Sequence, residues 1–380
     1  MADKNELKNK LMKALSQAEQ SLSRAKLSFK EQFHLLDPLM ILPYYGFGND
    51  HYVFLKGRVL ENEKVKEKKE GASTLEHLKN TYKRFESDEI PDIKVKGSFA
   101  GQEQEVKTDD EGFFEFEFRF DHPIDYAQHG YELKLQLLET KTEEDEKEAK
   151  GYIFVPDKDA EYGVISDIDD TVLVSRVTHF MAKLKLLLLK DATERSPFPG
   201  IAAFLRALRR GSDDKGKNAL FFVSGSEWNL YDLLINFFRF HDVPEGPLLL
   251  RDRGTRFDKG SFETSERNYK QHKIRHILRT YPHLKFICIG DSGQHDPEIY
   301  QKVLEEFPGQ IMGIYIRDVS PEKRDREVHR IARQVKEKGA EMVLAEETLS
   351  AVEHALSMKW INENQLAEIK EECRKDKQEG

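Results

Sequence analysis

Cysteine is almost missing from this chain: two among 380 residues, Cys288 in an apolar run and Cys373 in a charged tail. That spacing supports neither a disulfide framework nor a thiolate metal site. No apolar stretch approaches the roughly 20 residues needed to span a bilayer. The N-terminus lacks the basic start, apolar block and small-residue cleavage site of a secretory signal, so a cytoplasmic location is the expectation. Net positive charge is lacking too. The formal charge is −9, which argues against nucleic acid as the bulk partner. What is present, 34% charged and 38% apolar residues, is the balance of a soluble globular protein with heavily solvated segments. The length suits two domains.

Residues 3–36 read as one helix, with Leu7, Leu11, Leu15, Ala18, Leu22, Ala25 and Phe29 at steps of three and four. Its other faces carry seven Lys or Arg residues against Asp3, Glu6 and Glu19. Such a helix packs on protein or lies on anionic lipid. Pro38 and Pro43 end it, and residues 44–60 are rich in strand formers. A charge run over 61–70 and a helical stretch near 75–85 follow. Strict alternation then appears in 93–96, in Phe114-Glu-Phe-Glu-Phe-Arg-Phe120 and in Tyr131-Glu-Leu-Lys-Leu-Gln-Leu137. Period two gives one buried and one wet face, hence antiparallel strands. Residues 40–156 are expected to form a small β-sandwich, with the acidic run 139–150 as a solvated hairpin loop.

The pattern changes at Tyr162. Apolar runs without alternation occur at 164–167, 219–223, 247–250, 286–290, 311–316 and 342–344, separated by helical segments. Strands buried on both faces and spaced by helices predict a parallel α/β sheet. Ligands of such sheets bind at the carboxyl ends of the strands, where the strand order switches.

Reactive residues fall at those ends. Asp167-Ile-Asp169-Asp-Thr171 follows the first run, Ser224-Gly225-Ser226 the second, and Gly290-Asp291-Ser292-Gly293-Gln294-His295-Asp296 a later one; Lys270 and Lys273 begin a basic helix. Buried carboxylates need a partner, and an oxygen-ligated divalent cation, Mg²⁺, held by Asp167, Asp291 and the Asp169 carbonyl, supplies one. Together these describe phosphoryl transfer. Asp167 attacks phosphorus, Asp169 protonates the leaving alcohol and then activates water, and Ser224 with Lys273 binds the phosphoryl oxygens. Lys270 competes with Lys273 for that role. Gly-Asp-Ser-Gly also resembles a protease nucleophile motif, but no suitably placed His–Asp pair accompanies it. His295 reads as a supporting or surface residue.

These motifs resemble the haloacid dehalogenase superfamily. Residues 161–355 more narrowly resemble its actin-patch-associated phosphatidate phosphatase family, related to the lipins. The stretches that carry the likeness are Ser166–Val172, Trp228-Asn-Leu-Tyr231, Pro244-Glu-Gly-Pro-Leu-Leu-Leu-Arg-Asp252, His272-Lys273 and Gly290–Tyr300. The resemblance implies Mg²⁺-dependent removal of phosphate from phosphatidate. It assigns Asp167 as nucleophile, Asp169 as acid/base, Ser224 and Lys273 as phosphate ligands, and Asp291 with Asp296 as metal-side carboxylates. Thr171, Gly225, Trp228 and Arg251 become substrate-pocket candidates. The family often has Pro where Glu227 stands, before Trp228. The expected fold is α/β: a Rossmann-like parallel-sheet haloacid dehalogenase domain over 158–380, preceded by the β-sandwich over 39–157 and an N-terminal amphipathic helix over 1–38.

A lipid substrate implies an anionic phospholipid surface as partner and a peripheral place at the membrane. The first helix is one candidate contact. Another is the stretch 179–190, with four consecutive leucines among Lys183, Lys185 and Lys190. A third is the basic rim over 251–279. Each has a competing reading as packed or solvated surface. Two other functions stay open: a phosphatase for a soluble phosphomonoester, and a non-catalytic phosphatidate-binding module, against which the presence of both Asp167 and Asp169 counts.

Overall fold

The computed structural model describes residues 37–62, 90–169, 171–172, 198–251, 266–319 and 322–379. The helices expected over 3–36 and 75–85, the leucine stretch 179–190, Asp170 and the middle of the basic rim lie outside the described residues. The chain is mixed α/β, with one mainly antiparallel and one parallel sheet. It divides into two units between Phe154 and Val155.

The first unit holds β1 (Leu39–Pro43), β2 (Gly46–Asn49), β3 (Tyr52–Glu61), β4 (Lys94–Phe99), β5 (Gln102–Lys107), β6 (Phe113–Arg119), a helical turn α1 (Tyr126–His129), β7 (Glu132–Leu137) and β8 (Glu148–Phe154). The sheet order is β1-β3-β2-β8-β7-β4-β5, with β6 paired to β3. Strand β3 is long enough to hold β1 and β2 end to end along one edge, with β6 on the other. Alternation turns Phe114, Phe116 and Phe118 inward and leaves Glu117 exposed. Their rings form a row spaced 5.6 and 5.9 Å apart.

A Cβ at Gly97 of β4 would lie 2.8 Å from the Phe116 ring, so β4 packs face to face on this row and only glycine fits. The sheet thus folds over its own aromatic stripe. Gln102 and Gln104 of β5 donate side-chain amide hydrogens to the Arg119 and Glu117 carbonyls of β6, at 3.0 and 2.8 Å. That satisfies edge carbonyls without a ladder.

Two details depart from expectation. A strand already begins at Leu39, with Pro43 tolerated at the end of an edge strand. The β2–β8 pair is parallel, Gly46 opposite Ile153, although alternation suggested antiparallel pairing throughout.

The second unit is built on a six-stranded, all-parallel sheet in the order β11-β10-β9-β12-β13-β14. The strands are β9 (Gly163–Ser166), β10 (Ala219–Glu227), β11 (Leu248–Arg251), β12 (Phe286–Asp291), β13 (Ile311–Arg317) and β14 (Glu341–Ala345). The helices are α2 (Ile201–Arg210), α3 (Tyr231–Phe240) after a 3₁₀ turn (Trp228–Leu230), α4 (Glu266–Thr280), α5 (Asp296–Glu306), α6 (Glu322–Glu337), α7 (Thr348–Ser357) and α8 (Glu363–Glu379). Phe221, Phe222, Ile287 and Cys288 are fully buried, as expected of strands covered on both faces.

The chain starts in the middle of this sheet. It runs outward through β10 and β11, then returns to β12 on the other side of β9. The order therefore switches at β9, and a crevice for ligands is expected beyond its carboxyl end. No described helix is long and apolar enough to cross a membrane.

Candidate active site

Register aligns the reactive segments. Ser166, the last residue of β9, lies opposite Phe222 of β10 and Ile289 of β12. Asp167, Ser224 and Asp291 each follow within two residues of that level. The Asp167 amide still donates to the Ile289 carbonyl at 2.8 Å, which fixes the first carboxylate at the mouth of the switch.

Three buried carboxylates converge there. Oxygens of Asp167, Asp291 and Asp296 all lie within 4.8 Å of one another. Asp296 opens helix α5, where the helix dipole favours a negative charge, and accepts from the Asp291 amide at 3.2 Å. A Cβ at Gly290 would meet Asp296 Oδ2 at 2.5 Å, so the glycine makes room for this carboxylate. The Lys270 ammonium, 3% exposed, lies 2.8 Å from Asp167 Oδ1 and 3.0 Å from Asp296 Oδ1.

Burial raises the Asp167 carboxyl well above its ordinary range; Lys270 opposes this, and Asp296, Asp169 and Asp291 add to it. Burial also works against the Lys270 charge, but Asp167 and Asp296 outweigh it and hold that pKa well above the usual lysine value.

Three carboxylates withdrawn from water within this distance repel one another, and a divalent cation would offset that repulsion. The donors are all carboxylate oxygens, the set that Mg²⁺ takes. The cluster therefore fits a hard divalent cation.

Asp169 is oriented separately. Its Oδ2 accepts from Ser224 Oγ at 2.7 Å and from Ser226 Oγ at 3.3 Å, while Ser224 Oγ accepts from the Ser226 amide. Thr171 Oγ1 donates to Asp167 Oδ2 at 3.4 Å, bracing the first loop.

The other expected residues are placed as follows. Lys273 lies on the same helix as Lys270, with its ammonium 5.2 Å from the centre of the Tyr269 ring. Gly225 is buried within β10. Trp228 is buried and stacked with Tyr231. Arg251 and Glu227 are register partners at the ends of β11 and β10 and pair at 3.3 Å, so the residue standing where the resembling family often has Pro engages a basic neighbour.

Three participants were not singled out from sequence. Ser226 reaches Asp169, and Gln294 touches Lys270, Asp169 and Asp291. Arg324 of α6 donates to the Ser292 and Gln294 carbonyls and pairs with Glu298, holding the 291–296 loop. Ser226 and Gln294 stand inside motifs that were noted. Arg324 has no local signal, because its role depends on α6 crossing this loop.

Comparison with known proteins adds to this geometry. Residues 162–318 match the family model described as phosphatidate phosphatase APP1, catalytic domain. The chain is 32% identical over 167 residues to phosphatidate phosphatase APP1 of Saccharomyces cerevisiae, an alignment covering 44% of this chain and 27% of that protein. It is 27% identical over 280 residues to an uncharacterised protein of Schizosaccharomyces pombe, covering 71% of this chain and 43% of that protein. The chain thus spans less than half the length of either relative. Among solved structures, a carbohydrate acetylesterase from Xanthomonas citri is similar at 12% identity over 77% of this chain and 72% of that one, with a TM-score of 0.23, too low to bear on fold or function.

Proposed function

We propose, from the premise that residues 162–318 belong to the phosphatidate phosphatase APP1 catalytic family, that this chain hydrolyses phosphatidate to diacylglycerol and phosphate. The observation that carries the reading is the Asp167–Asp169 pair. One carboxylate is fixed among Lys270, Asp291 and Asp296, and the other is turned aside by Ser224. Two carboxylates in such different surroundings suit two different roles. The parallel sheet and its acidic first loop are read as a haloacid dehalogenase-type domain, 158–380. The preceding 39–157 is read as its accessory β-sandwich.

An Asp167 carboxylate oxygen attacks phosphorus, and the bond from phosphorus to the glycerol oxygen breaks. Asp169 gives its proton to the departing alkoxide. The product is an aspartyl-phosphate on Asp167 and a free diacylglycerol. Asp169, now ionised, takes a proton from water. The water oxygen attacks phosphorus, releasing phosphate and restoring Asp167. Ser224 and Lys270 are read as donors to the phosphoryl oxygens, with Lys270 preferred to Lys273 for its place against Asp167. Thr171, Gly225, Trp228 and Arg251 are read as candidates for the wall of the substrate pocket.

Asp167, Asp291, Asp296 and the Asp169 carbonyl would hold Mg²⁺, which offsets negative charge on the phosphoryl group. The enzyme works peripherally at a cytoplasmic membrane surface in this reading. The alternative is a soluble phosphomonoester as substrate, since one fold serves many substrates.

The test is phosphate release from phosphatidate in mixed micelles, with and without Mg²⁺, for wild type and Asp167→Asn. The variant is expected to lose roughly 10⁴-fold or more of the rate, as nucleophile removal does elsewhere. Normal turnover by Asp167→Asn sinks the covalent mechanism. Preference for a soluble monoester without vesicle binding rejects the lipid substrate.

A further inference from the structure

Gln294 joins three of the four segments that make up the site. Its Oε1 accepts from the Lys270 ammonium at 2.9 Å, and its Nε2 donates to the Asp169 carbonyl at 3.3 Å. Its backbone amide donates to Asp291 Oδ1 at 2.8 Å, and its carbonyl accepts from Arg324 at 3.1 Å. The amide has one permitted orientation. An ammonium only donates and a peptide carbonyl only accepts, so oxygen must face Lys270 and nitrogen must face Asp169. An ionised Glu of the same length would offer acceptors only, and could not donate to the Asp169 carbonyl.

We propose that Gln294 is a positioning residue for the cation: it orients the Asp169 carbonyl toward the carboxylate cluster and keeps Lys270 on Asp167 and Asp296. A carbonyl oxygen has two lone pairs. The Gln294 N–H uses one, which fixes the peptide plane and aims the other. Keeping Lys270 seated between two carboxylates limits repulsion within the cluster before a cation arrives. This inference rests on the divalent-cation reading above and does not require phosphatidate as the substrate.

The test is Mn²⁺ binding to the full chain without substrate, followed by electron paramagnetic resonance, for wild type, Gln294→Met and Gln294→Asn. Met keeps the length and removes both polar ends. Asn keeps both ends on a chain one methylene shorter and carries the same test if Gln294→Met does not fold by circular dichroism. Outer-shell partners of metal ligands typically contribute 10–100-fold to metal affinity. Mn²⁺ affinity is expected to fall about 10-fold or more in Gln294→Met and by less in Gln294→Asn. Affinities within about twofold of wild type in a folded variant overturn the proposal, as does a wild type that binds no Mn²⁺. A wild type that binds Mn²⁺ but releases no phosphate from phosphatidate rejects the substrate assignment alone, because the metal titration still reports on position 294.

Discussion

Lys270 and Lys273 stand three residues apart on α4, yet their surroundings differ sharply. Lys270 faces two carboxylates within 3.0 Å, whereas Lys273 lies over an aromatic ring. Removing one partner of a buried ion pair strands the other charge and costs about 3–5 kcal/mol. Lys270→Met is therefore expected to lower both the urea midpoint and the rate of phosphate release, the latter by roughly 10²-fold or more, as loss of one preorganised donor does. Lys273→Met loses at least the cation–ring contact, about 0.5–2 kcal/mol of stability, and is expected to keep most of the rate. The reverse order of the two rates would return the phosphoryl-binding role to Lys273. Helical spacing explains why sequence alone left these two in competition: residues three apart share a side of the helix. Which of them meets Asp167 depends on how α4 is rotated on the sheet. Asp167, Asp169, Ser224 and Asp291 were legible because apolar runs end beside them, whereas Asp296, which opens α5, was assigned only through the family resemblance. Gln294 and Arg324 were not, because their partners are distant in the chain.

At the scale of elements, five of the six unalternated strands were readable to within a residue at each end, since burial on both faces leaves a continuous apolar run, while β10 runs on four residues past its apolar stretch to Glu227. The connection between β7 and β8 was read as a solvated acidic hairpin loop, and it is largely exposed, with Asp145 the one buried exception. Asp145 is 7% exposed and accepts from the Leu39, Lys141 and Thr142 amides and the Thr142 hydroxyl. One acidic residue among many thus ties the loop to β1. Burial opposes its charge, but these hydrogen bonds outweigh burial and hold the carboxyl below its ordinary value. A pKa lowered on folding gives stability that is complete above the unfolded value, about 3.9, and is lost as pH falls through the folded one. Asp145→Asn is expected to cost about 1–3 kcal/mol at pH 7. Its deficit against wild type should shrink at pH 3, below the unfolded value, where the unfolded chain already takes up the proton. Urea midpoints at the two pH values check this, and an unchanged deficit would show that charge plays no part in the anchor.

The whole chain carries a formal charge of −9, and its second unit concentrates three carboxylates at one buried point against Lys270. A ligand that binds only the folded state stabilises it in proportion to the logarithm of its concentration over Kd, about 2.7 kcal/mol at 100 times Kd. For a unit of this size, each kcal/mol raises the melting temperature by roughly 2–4 °C. Saturating Mg²⁺ is therefore expected to raise the melting temperature of this unit by roughly 5–10 °C over chelator-treated protein. Asp291→Asn should remove most of that increment. Without metal it should melt close to wild type or slightly above, because one mutually repelling carboxylate is gone. Those opposite effects separate a cation site from a cluster held by hydrogen bonds alone, in which Asp291→Asn would destabilise equally with and without Mg²⁺. The measurement needs no substrate. It reads the charge balance of the site independently of which alcohol departs from the phosphate.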